Sequence, residues 1–109
     1  MIIKEAKVAE KILDDHKVEA VESVDVRSLT PFASYYVLGT CDNPRQLKAV
    51  AEAVVDGLEG NGYEVRKPEG EAGSGWILVD AGEVIVHLFL PEMRKTIDLD
   101  SLLKGRKAK

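Results

Sequence analysis

The sequence predicts an α+β fold: a mixed sheet of about five strands flanked by helices, in the order α-β-β-α-β-β-β-α. Three observations carry this. Two segments repeat apolar residues at the three-and-four spacing of a helix. Five shorter ones are β-branched, or alternate apolar and polar residues with period two. Proline, glycine, asparagine and aspartate fall between them, where the chain must turn. At 109 residues one domain is the natural count. No internal repeat or low-complexity stretch interrupts it.

Each element has its own local reason. Residues 2–15 place Ile2, Ala6, Ala9 and Leu13 on one face, with Ile12 beside them. Lys4, Lys7, Glu10, Lys11 and Asp14 fall mostly outside, which is the pattern of an amphipathic helix. In residues 20–27, Val24 and Val26 share one strand face and Asp25 takes the other. Residues 28–34 hold Pro31 and read as a loop. Residues 35–40 form a short apolar run, an interior strand. Asp42 or Asn43 can cap the next helix, and Pro44 suits its first turn. Leu47, Val50, Ala51, Val54 and Leu58 then line one helical face. Gly60 and Gly62 suit a left-handed stop.

Residues 63–67 alternate like an edge strand, and residues 68–75 read as a mobile or tightly turning loop. Residues 76–80 and 83–90 form a hairpin of two buried strands around Ala81-Gly82. Pro91 closes it and opens a helical turn through Arg94. Ile97, Leu99, Leu102 and Leu103 can dock a last short helix. The domain is expected over residues 1–103, with a basic, disordered tail over 104–109.

Composition excludes several function classes. Fifteen Lys and Arg against nineteen Asp and Glu give a net charge of −4, and the pI is about 5.2. A nucleic-acid coat would show the opposite balance. Cys41, the single cysteine, cannot form an internal disulfide, so a reducing compartment is expected. The cysteine and the two histidines, His16 and His87, lie too far apart for zinc spacing. No segment resembles a signal peptide or a membrane span. The chain reads as soluble and cytoplasmic, with no cofactor and no metal.

The residues that could carry chemistry each have a plainer reading. Asp25, Asp80 and Glu83 lie in or beside strands, but none forms the i, i+2 pair that places two acids on one strand face. Two-metal phosphoryl transfer needs such convergence; strand-end solvation and turn capping do not. Cys41 follows Gly39-Thr40 at a strand-to-helix turn, where a thiol can be activated or merely packed. Neither Gly39-Thr40 nor the glycines at 70, 73 and 75 end in the Gly-Lys-Ser/Thr of a phosphate loop. His87 shares a face with Ile85 and Phe89, opposite Val84, Val86 and Leu88. It is open to structural, surface or catalytic use. Trp76 opens a strand after a glycine loop and can be a core lid or an interface anchor. Arg94-Lys95 reads as a solvated face or an interface rim.

The second half of the chain then resembles a known family. The residues are Glu69-Gly70-Glu71, the run from Gly75 through Phe89, Arg94, and Asp98-Leu99-Asp100-Ser101-Leu102. The string Trp-x-x-x-Asp-x-Gly-x-x-x-x-His is similar to that of the ribosomal silencing factors, also called iojap-related. Val24-Asp25-Val26 and residues 36–40 followed by Arg45 extend the resemblance to about residues 2–103. It implies a nucleotidyltransferase-like fold without a catalytic site. It implies binding to the large ribosomal subunit through ribosomal protein L-fourteen, with little direct nucleic-acid contact. Bound there, such a protein blocks joining of the small subunit and represses translation when nutrients are short. The implied partner-binding residues are Trp76, Asp80, Ala81, Gly82, Val84 and Arg94. Trp76 is the expected apolar anchor, with the Asp80–Gly82 turn beside it, Arg94 as a polar contact and His87 as support. The sequence departs from the family pattern at Ser34, Cys41, Ala81, Ile97 and Leu103. Two other readings are a metal-dependent nucleotidyltransferase-like enzyme using Asp25, Asp80 and Glu83, and a dimeric scaffold. A homodimer off the ribosome is compatible with the first reading.

Overall fold

The computed structural model describes residues 3–99. Its elements are α1 (Lys4–Asp15), β1 (Glu19–Asp25), β2 (Tyr35–Thr40), α2 (Pro44–Gly60), β3 (Glu69–Glu71), β4 (Trp76–Asp80), β5 (Val84–Phe89) and α3 (Pro91–Ile97). The strands lie in the order β1-β2-β5-β4-β3. Only β2 and β5 run parallel; the other neighbours are antiparallel. The sheet is mixed and five-stranded, as the patterning predicts. Ile2, Leu102, Leu103 and the tail at 104–109 lie outside the described residues.

The helices form where their signals stand. The Asn43 side chain accepts a hydrogen bond from the Gln46 amide at 2.9 Å and so caps α2, with Pro44 in its first turn. One end-of-helix donor is satisfied this way, and the proline loses nothing there. α2 buries Leu47, Val50, Ala51, Val54 and Leu58, the predicted stripe. α1 buries Ala6, Ala9 and Leu13, and also Glu5, which extends the predicted stripe by one flanking position. Both helices pack on one face of the sheet, against Val37, Ile77, Val79, Val84, Val86 and Leu88. Each such aliphatic side chain contributes about 1.5–3 kcal/mol on burial.

Small residues set how closely α1 approaches. A Cβ on Gly39 of β2 would meet Val18 Cγ1 at 2.6 Å and Leu13 Cδ1 at 3.2 Å. A Cβ on Gly57 of α2 would meet only the end of the Ile12 side chain. The first neighbour is short and branched; the second can swing away.

The edge of the sheet corrects the sequence reading. The patterning predicts a strand at 63–67 and a loop at 68–75. The structure instead places β3 at Glu69–Glu71, paired with β4 from Glu69↔Leu78 to Glu71↔Trp76. A 3-10 turn at Ala72–Ser74 follows. The alternation at 63–67 reflects burial of Tyr63 and Val65 beside the helix-side core. Pro68 cannot donate to a ladder, so pairing starts after it. Gly70 has φ +96° and lies against the Trp76 carbonyl, where a Cβ would collide. The helical turn expected through Arg94 extends to Ile97 and ends on Asp98 at φ +51°.

Gly39→Ala is expected to destabilise the fold by about 1–3 kcal/mol through overpacking. Gly57→Ala should be near neutral or slightly stabilising, because helix propensity gains what the Ile12 shift costs. Urea unfolding of the two variants checks the contrast. Equal losses would mean that the α1 approach is not set at Gly39.

Candidate functional site

Among the described residues, the other face of the sheet has less helical cover. Alternation along the strands sends Val24 and Val26 of the β1 edge, Tyr36 and Leu38 of β2, and Ile85 and Phe89 of β5 to this side. Trp76 of β4 joins them, and α3 reaches over them only with Met93 and Ile97. The aromatic rings pack on one another. Trp76 lies 5.4 Å from Phe89 and 5.9 Å from His87, and Tyr36 lies 4.5 Å from His87, centroid to centroid. Trp76 is half-buried. Beside it a depression of about 240 Å³ is lined by Glu69, Gly70, Ser74, Trp76, Leu78 and Met93. This is a ready surface for an apolar partner group.

His87 sits beneath that surface. It is 6% exposed, and its Nδ1 accepts a hydrogen bond from Trp76 Nε1 at 3.2 Å. With Nδ1 accepting, the neutral ring carries its proton on Nε2. That nitrogen is buried without a partner. Burial disfavours the charged ring and pulls its pKa down to about 4. His87 therefore orients the indole and stays neutral at physiological pH.

The other expected contact residues do not gather around Trp76. The resemblance implies that the turn lies beside it. Trp76 pairs with Phe89 and Asp80 pairs with Ile85, so the turn lies at the opposite end of β4, about 13 Å away at the usual strand rise. There Asp80 Oδ1 accepts from the Gly82 amide at 2.9 Å, and the Ala81 amide donates to the Val84 carbonyl at 2.9 Å. Gly82 takes φ +86° and is exposed. Ala81 and Val84 are buried in the helix-side core, where they shape the turn from below. Arg94 points inward. Its guanidinium donates to the Ala20 carbonyl at 2.7 Å and to Thr40 Oγ1 at 2.9 Å, and it pairs with Glu22 at 3.6 Å. Ala20 is displayed by an irregularity in β1, where its own φ is +51°. Arg94 thus ties α3 to the edge strand.

The acids named for metal chemistry stay apart. Asp25 is held by Arg27 through bonds of 2.6–3.1 Å, which lower its pKa to about 2. It stands three strands from Asp80, about 14 Å at normal strand spacing. Glu83 accepts a hydrogen bond from the Ser34 hydroxyl at 3.0 Å. An aspartate at 34 would set two carboxylates face to face. Among the described residues no group of three or more His, Cys, Asp or Glu side chains is placed to hold a metal ion. Cys41 is fully buried, and burial pushes its thiol up to about 11, the opposite of an activated nucleophile. No helix among the described residues is long and apolar enough to cross a membrane.

Glu5 is the residue that sequence reasoning missed. It is 7% exposed, and burial, with repulsion from Glu83, raises its pKa to about 7. A signal was present: Glu5, Ala9 and Ile12 follow the four-and-three spacing of the buried stripe.

Comparison with known proteins gives the family and the fold. The family model described as "Ribosomal silencing factor during starvation" matches residues 1–109. A ribosomal silencing factor from Chromobacterium violaceum is 35% identical over 102 residues, covering 94% of this chain and 84% of that protein. One from Bacillus subtilis is 31% identical over 96 residues, covering 88% and 81%. A crystal structure of a Chromobacterium violaceum protein superimposes with a TM-score of 0.88 at 35% identity, covering 100% of this chain and 92% of that one.

The buried titratable groups set opposing pH dependences. His87, lowered from its ordinary 6.5 to about 4, contributes stability above pH 6.5 that is lost as pH falls toward 4. Glu5, raised from 4.5 to about 7, contributes stability below pH 4.5 that is lost as pH rises through 7. Between these limits the two oppose. In His87→Gln, Glu5 is left alone and stability should fall with rising pH. In Glu5→Gln, His87 is left alone and stability should rise by up to ~3 kcal/mol. Urea unfolding from pH 4.5 to 7.5 reads both slopes; parallel slopes would overturn the assignment.

Proposed function

The chain belongs to the family of ribosomal silencing factors, and on that footing we propose that it binds the large ribosomal subunit through ribosomal protein L-fourteen. Bound there, it blocks joining of the small subunit and lowers translation under nutrient limitation. The family match along the whole chain carries this reading. The half-buried Trp76 and the depression beside it offer the surface it needs.

The mechanism is occlusion. A bound domain that overlaps the small subunit's position prevents joining by bulk alone. Affinity and placement suffice, so no catalytic group is required. Trp76 is the apolar anchor, with the depression at Glu69, Leu78 and Met93 receiving a partner group. A half-buried indole on a rigid support is the residue type that dominates interface energetics. His87 holds the indole from beneath. Arg94 fixes α3 at the margin of the face, while Ala81 and Val84 support the turn that presents Asp80 and Gly82. The net charge of −4 favours a basic protein surface over anionic ribosomal RNA.

Co-sedimentation with purified large subunits, paired with a subunit-joining assay, tests the reading. The protein should pellet with the large subunit and slow joining. If it stays in the supernatant and joining proceeds normally, the reading fails. Trp76→Ala should weaken binding by about 2 kcal/mol, roughly 30-fold, with the fold retained. Unaltered binding by a folded Trp76→Ala protein would remove the indole from the contact.

A further inference from the structure

On the helix-covered side, under the 81–83 turn, lies a cleft of about 410 Å³. Glu5 of α1, Tyr63, Glu64 and Arg66 of the segment after α2, and Gly82 and Glu83 of the turn line it. Oε2 of Glu5 is buried and has no hydrogen-bond partner, although the Val84 amide faces the carboxyl group. A bare buried carboxylate oxygen is costly, and here Glu83 and Asp80 stand near enough to repel it further. The carboxylates of Glu5 from α1 and Glu83 from the turn thus face each other at the cleft, which Glu64 and the guanidinium-bearing Arg66 also line.

We infer that this cleft seats one organic cation: a lysine ammonium or arginine guanidinium carried by the protein partner of this chain. The partner's identity rests on the ribosome-binding reading; the chemistry of the cleft does not. Such a group needs only one or two carboxylates in hydrogen-bonding reach. A divalent metal needs more ligands than the cleft brings together, since no described cluster of three His, Cys, Asp or Glu side chains qualifies. Entry of the cation pairs Glu5 and Glu83, removes their repulsion and releases the proton that Glu5 holds near neutral pH. The cleft lies on the opposite side of the sheet from Trp76, with the exposed Gly82 turn as the rim between them. It is therefore a second, ionic contact, separate from the apolar one.

Two measurements decide. In the first, carboxyl carbon NMR follows the titration of Glu5 in the full chain, with n-butylammonium chloride or sodium chloride at equal ionic strength. The butylammonium salt should lower the Glu5 midpoint beyond the sodium control, and Glu83→Gln should reduce that difference. Equal midpoints in the two salts overturn the organic-cation seat. In the second, Glu5→Gln and Glu83→Gln are sedimented with large subunits at pH 7.5, with melting temperatures measured alongside. Each should bind about 5–10-fold more weakly, as for loss of a paired interface charge, while remaining folded. Wild-type binding by both folded variants overturns the partner assignment and leaves the ribosome reading intact. If the unaltered protein itself fails to sediment, the ribosome reading and the partner assignment both fall. The NMR titration then decides by itself whether the cleft takes an organic cation.

Discussion

The fold depends on one mismatch: its central strand is apolar on both sides, and among the described residues long helices cover only one. β5 sends Val84, Val86 and Leu88 toward α1 and α2, and Ile85, His87 and Phe89 the other way. The first set is sealed under twenty-nine helical residues, twelve in α1 and seventeen in α2. The second has the seven residues of α3. Apolar surface left without a helix must be covered by its own side chains or by another molecule. The rings of Tyr36, Trp76, His87 and Phe89 achieve the first in part, since they are large enough to shield one another. What they leave open is the part available to a partner.

Much of this is legible in local sequence, and the reasons are physical. α2 is readable because its cap at Asn43, its Pro44 and its apolar stripe all act within a few residues of chain. The two faces of β5 are readable because the strand period is two and the run is uninterrupted. β3 is not, because Pro68 and Gly70 look like loop residues, and a three-residue edge strand leaves no periodic trace. Arg94 reads as outward for a different reason. Its partner at Ala20 is 74 positions away, and the carbonyl it reaches is displayed only by an irregularity in β1. The expected contact residues come from the resemblance, not from local patterning. That they divide between two ends of β4 and two sides of the sheet becomes visible only once the register is known.

Glu5 is instructive in the same way. A helical stripe identifies which positions will be buried, but not whether the residue there will suit burial. An acid on the stripe is a local conflict with the fold, and such conflicts tend to mark places where stability yields to something else. Here the conflict sits beside the turn that the resemblance singles out, on the side of the sheet that the aromatic face does not share.

The bond between Trp76 and His87 has an optical consequence. The chain has one tryptophan, so every indole photon it emits comes from a ring held against a histidine on the uncovered face. The protein carries its own fluorophore at the surface where association is proposed. Occupancy of that face can be followed in the unlabelled molecule. A change in emission thus reports a ligand at that face alone.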